Sequence, residues 1–135
     1  MEYERDQLEE YFKQLDLYLA DLEKTGAFLL SLGYSLYIKS AQVDILEILD
    51  EDFEPIETPR EILVTGQKLI LFGYIILYSV AVQRIRQKII MNEVADEPVN
   101  LSPYRRVIES YFVSVIANYV RLNAFVDLTG EEVIV

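Results

Sequence analysis

The stretch TPREILVTGQKLILFGYIILYSVAVQRIRQKII, residues 58–90, decides the fold. It opens on Thr58-Pro59-Arg60-Glu61, a strong helix start. Thr58 caps free N–H groups, Pro59 suits the first turn, and Glu61 bonds back to close a capping box. About thirty residues without a proline follow, long enough for one uninterrupted helix. The middle, Leu69 to Tyr78, is apolar on every side. Such a helix is covered all round, by its own chain, by copies of itself, or by lipid.

Upstream, Leu8, Tyr11, Leu15, Tyr18 and Leu22 recur at spacings of three and four, with acids on the other face. That periodicity predicts an amphipathic helix over about residues 2–24. Thr25-Gly26 is expected to break or bend the chain, because Gly inside a helix costs about 1 kcal/mol relative to Ala. A second helix then covers about residues 27–49. It matches the central stretch: Thr25-Gly26 aligns with Thr65-Gly66, and Gly33-Tyr34 with Gly73-Tyr74. In both segments the glycines lie seven apart, on one helix face, where the missing side chain lets another helix come close. Gly26, Gly33, Tyr34, Gly66, Gly73 and Tyr74 are therefore the candidate crossing residues, with Gly33 and Gly73 facing each other. Residues 50–57 form an acidic loop without the glycine and ligand spacing of an EF-hand, so a solvated loop is expected there.

Downstream, the central helix is expected to end near residue 91. Ser102-Pro103 repeats the cap-then-proline start, and a helix over about residues 103–127 follows. Thr129-Gly130 reads as its stop. The tail Glu131 to Val135 is short and β-prone. The expected architecture is one all-α domain, residues 1–135, built as an antiparallel four-helix bundle with helices at about 2–24, 27–49, 58–91 and 103–127.

The chain has no Cys and no His. Thiolate and imidazole catalysis are excluded, as are zinc sites built on those ligands. No phosphate-binding glycine loop and no nucleophile elbow occurs. The sequence thus predicts no enzyme, no cofactor and no metal. Its acidic start, Glu2-Tyr3-Glu4-Arg5-Asp6, is unlike a signal peptide, which makes the cytoplasm the default location.

Charge is unevenly placed. Sixteen acids and five bases lie between Met1 and Glu61, a net of −11, whereas residues 62–126 carry a net of +3. A chain with opposite signs in its two halves is suited to head-to-tail association. The bases cluster: Arg84, Arg86 and Lys88 close the central helix, and Arg105 and Arg106 open the next. Arg105 and Arg106 sit where the helix dipole is already positive, so the cluster asks for an anionic partner. An acid within the chain, the acidic half of a second copy and a nucleic-acid backbone each satisfy that demand.

Lipid is a weaker fit than self-association. The uncharged run Leu69 to Gln83 is shorter than the roughly 20 residues a bilayer requires. A soluble helical domain with apolar faces left over polymerises instead, into rings, shells or filaments. The general plan of the chain also resembles the major coat proteins of spindle-shaped and tailed archaeal viruses: small, Cys-free, rich in Tyr and Ile, with helix starts at Thr58-Pro59 and Ser102-Pro103 and an apolar middle at 69–78. That resemblance implies a capsid subunit packed through hydrophobic contacts around DNA, located in the virion. The strong acidity departs from it and confines any DNA contact to the 84–106 cluster. The expected function is a self-assembling structural protein, with a small membrane-associated or partner-binding helical protein as the alternative.

Overall fold

The computed structural model describes residues 2–131, and they form three helices rather than four. α1 runs Glu2–Leu49, α2 Pro59–Val94 and α3 Ser102–Glu131. No strand occurs among the described residues. Helices of 48, 36 and 30 residues measure about 72, 54 and 45 Å at 1.5 Å per residue.

The expected break at Thr25-Gly26 is absent. α1 passes through both residues, and the Thr25 hydroxyl donates to the carbonyl of Asp21 one turn back. Gly26 is buried in a helix contact, and that packing offsets its poor propensity. Gly130 likewise does not end α3, which continues to Glu131. The β-prone tail falls at 132–135, outside the described residues. The start of α2 is as the sequence predicts. Thr58 accepts from Glu61 N–H, and Glu61 Oε2 accepts from Thr58 N–H, at 3.2 and 3.1 Å.

α1 and α2 pack as an antiparallel coiled-coil hairpin. The buried residues of α1 are Phe12, Leu19, Gly26, Gly33 and Ser40, each seven after the last. On α2, Gly66, Ile70, Gly73, Leu77 and Val80 alternate spacings of four and three. A sustained seven-residue repeat gives a left-handed supercoil. Gly33 meets Gly66, and Gly26 meets Gly73. Ser40 donates to the Pro59 carbonyl at 2.6 Å. The two numbers in each of these layers sum to 99, so Leu19 stands level with Val80 and Phe12 with Gln87. Gly33 therefore does not face Gly73. Antiparallel pairing sets the first glycine of one helix against the second of the other.

These layers are very close. A Cβ on Gly33 would stand 2.6 Å from the Gly66 carbonyl oxygen, and one on Gly66 would stand 2.7 Å from that of Gly33. α3 packs antiparallel on α2 alone, with no backbone approach to α1. α1 and α3 meet only through side chains at one end, where the rings of Tyr37 and Phe125 lie 6.2 Å apart.

Candidate assembly site

A buried polar node fixes the three helices in register. Gln67 of α2 is fully buried. Its amide nitrogen donates to the Asn118 carbonyl and to Asn118 Oδ1 on α3, at 3.0 and 2.8 Å. Its amide oxygen accepts from the Tyr37 hydroxyl of α1. Asn118 donates in turn to the Ser114 carbonyl and accepts from Arg121. Burial pushes the Tyr37 phenol up from 10.0, against the pull of Arg121. Such a network stabilises only the register that satisfies all its members. The node holds no nucleophile with an activating base among the described residues.

Tyr34 and Tyr74, the aromatic neighbours of the crossing glycines, lie beside this node. Tyr74 packs its ring 6.4 Å from Tyr111 of α3, whereas Tyr34 stays partly exposed and packs edge-on against Tyr37. Burial raises the Tyr74 phenol, and the adjoining Tyr34 adds to the shift.

The basic cluster does not act as one. Arg84 turns onto α1, where its Nε lies 2.8 Å from Glu23 and its Nη1 3.9 Å from Asp16. It is thereby removed from the Arg105–Arg106 side, and its partners are acids of the first helix. Gln87 donates to the same Asp16 at 2.9 Å, while its own buried carbonyl oxygen has no donor among the described residues. Arg86, Lys88, Arg105 and Arg106 make no side-chain hydrogen bond or ion pair with described residues. The pairing of Gln67 with Asn118 and of Tyr74 with Tyr111 sets Arg105 level with residue 80. Arg86 and Lys88 then lie roughly 9–14 Å farther along α2. The α2–α3 loop beside them is held by Asn92, whose amide both donates to the Val99 carbonyl and accepts from the Val99 N–H.

Apolar surface is abundant. Phe28, Ile38, Phe72, Phe112, Val113 and Val120 are all exposed by half or more. Beside α1 runs an open groove of about 500 Å³ lined by Tyr11, Leu15, Ile75, Tyr78 and Val82; it is a trough between helices, not a closed ligand chamber. No group of three or more acids gathers as a metal site among the described residues.

The sequence pattern misses the salt bridges from α1 to Arg84 and the burial of Ser40. Both follow once the seven-residue repeat 12-19-26-33-40 is recognised, because it fixes which residues of α1 and α2 are level. No family model, curated protein or solved structure matches this chain.

Proposed function

We propose that the chain is a self-assembling structural subunit, of a virus coat or another shell or filament, whose exposed helix faces are covered by further copies of itself. The observation that carries this reading is the surface. The chain exposes 9732 Å², where a compact monomer of 15.7 kDa exposes roughly 7300 Å². The excess is about three times the roughly 800 Å² that each partner contributes to a standard interface. Several faces per subunit fit a shell or filament better than a single dimer contact. The role is architectural, with no catalytic step, and its site is the virion or the cytoplasm.

A membrane reading has one observation in its favour: α2 is long and apolar enough to cross a bilayer, and only a third of its most apolar window is buried. The neighbours of α2 oppose it. By the helix registers, Asp21, Glu23 and Lys24 of α1 and Glu109 of α3 stand level with the centre of the apolar run. Each charge at bilayer centre costs about 2.5–3.5 kcal/mol on the insertion scale.

The test is size, by light scattering and negative-stain microscopy on protein made without detergent. Large regular particles or filaments are expected. A clean monomer or dimer would overturn the reading in favour of a partner-binding module. Recovery only in membranes would replace it with the spanning one.

A further inference from the structure

We propose that two copies of the chain pack face to face, across a two-fold axis, through the side of the α1–α2 hairpin that α3 leaves bare. The inference rests on the self-assembly reading and names one of the faces it would use.

The face is a product of the hairpin. On one side, Gln67 and Tyr74 of α2 meet Asn118 and Tyr111 of α3. The opposite side begins as the open trough lined by Tyr11 and Leu15 of α1 and by Ser79, Gln83 and Ile90 of α2. The same helix faces continue it at spacings of three and four. On α1 they run from Tyr11 to Leu36 and carry five Leu, two Tyr and Thr25, with no charge among them. On α2 they carry Leu69, Phe72 and Ile76 before reaching Ser79. Tyr18, Leu32 and Phe72 are exposed along this length. Of the described residues lining the open end, Arg86 alone is charged.

Size and charge identify the occupant. From Tyr11 to Leu36 the face is about 37 Å long, and two helices side by side make it about 20 Å wide. That footprint is about 750 Å², close to the roughly 800 Å² that each partner contributes to a standard interface. A two-fold contact sets a surface against itself, so any charge on it meets its own kind. A chain of net charge −11 therefore needs an uncharged face for such a contact, and this face is uncharged over nearly its whole length. Lipid fits it less well. Asp21 and Lys68 are exposed at its two borders, one turn from Tyr18 and Phe72. Both stay in water at the polar rim of a two-copy interface, whereas a bilayer would bury them.

The experiment charges the face in the full chain and reads mass by light scattering across a dilution series. Tyr18→Glu with Phe72→Glu alters two exposed side chains and sets like charges against each other across the axis. This variant is expected to keep its helical circular dichroism and to be monomeric at concentrations where wild type is dimeric or larger. The control is Val113→Glu with Val120→Glu, two exposed residues of α3, which is expected to remain at least dimeric. Should the first variant lose its helical signal, Tyr18→Gln with Phe72→Gln replaces it, with an association midpoint at least tenfold higher in concentration expected. If wild type assembles and the face variant reaches the same mass at the same concentration, this face is overturned and the self-assembly reading survives. If wild type stops at a dimer that the face variant abolishes, the face stands and the shell or filament falls. If the α3 control also falls to monomer, the contact involves α3 and the two-fold face is overturned. If wild type stays monomeric, or is recovered only in membranes, both fall.

Discussion

Gln67 shows how much one buried amide can decide. It touches α1 through Tyr37 and α3 through Asn118, so a slip of any helix leaves a polar group buried without a partner. Tyr37→Phe removes one donor and leaves the Gln67 carbonyl oxygen unsatisfied. The expected cost is about 1–3 kcal/mol at neutral pH, read as a lower midpoint in urea unfolding. The same phenol also sets a pH limit. Its folded value lies above the ordinary 10.0, chiefly because burial disfavours the phenolate. Below pH 10 the folded and unfolded chains both hold the proton, and stability is flat from this source. Above it the unfolded chain ionises first, so stability falls as pH rises through the raised folded value. Tyr74 is shifted the same way and adds to the fall. Urea midpoints between pH 9 and 11 should drop less steeply in Tyr37→Phe than in wild type; an identical slope would remove Tyr37 from this account.

At the scale of the element, the hairpin rests on four glycines used as contact surface. Gly33→Ala gains about 1 kcal/mol of helix propensity. Its new methyl, however, would stand 2.6 Å from a backbone oxygen and 2.5 Å from Ile70 Cγ1. The helices must part, and overpacking of that kind costs about 1–3 kcal/mol. A net destabilisation is expected, seen as a lower Tm. Gly130→Ala is the internal control: no described residue lies within 4 Å of its added methyl, so only the propensity gain remains, and Tm should hold or rise. Equal effects at the two positions would contradict the close-contact argument. The same glycines explain what was readable in advance. Their spacing of seven identified a close helix contact, and the Thr58 cap and the Ser102-Pro103 pair placed the later helix starts within a residue, although Ser102 is the first residue of α3 rather than its cap. Local propensity also suggested stops at Gly26 and Gly130. At Gly26 burial against Gly73 overrides it, which turned two expected helices into one. The pairing of Gly26 with Gly73 needed the direction of the partner helix, and a spacing pattern alone does not contain that. The partner of Arg84 was illegible for the same reason, since Glu23 is 61 residues away in sequence and is brought near only by the hairpin register.

The whole molecule has a thin core for its length. The buried hydrophobic residues are Phe12, Leu19, Ile62, Ile70, Leu77, Val80 and Ala81, nearly all in the α1–α2 seam, while many larger apolar side chains face outward. Among the described residues, α3 adds no fully buried hydrophobic residue of its own and attaches through the Gln67–Asn118 node and half-covered aromatic rings. Under the self-assembly reading, a chain built this way keeps a large part of its stabilising surface for contacts with further copies. Under the self-assembly reading, those contacts exist only in the folded state, so mass action links stability to concentration. Raising the subunit concentration to about a hundred times the association Kd should add about 2.7 kcal/mol. For a domain of this size that is a rise in Tm of roughly 10 °C. Thermal unfolding followed by circular dichroism across that range measures it directly. A wild-type Tm independent of concentration would mean that the hairpin and α3 suffice by themselves, and the exposed faces would then need an occupant other than this chain.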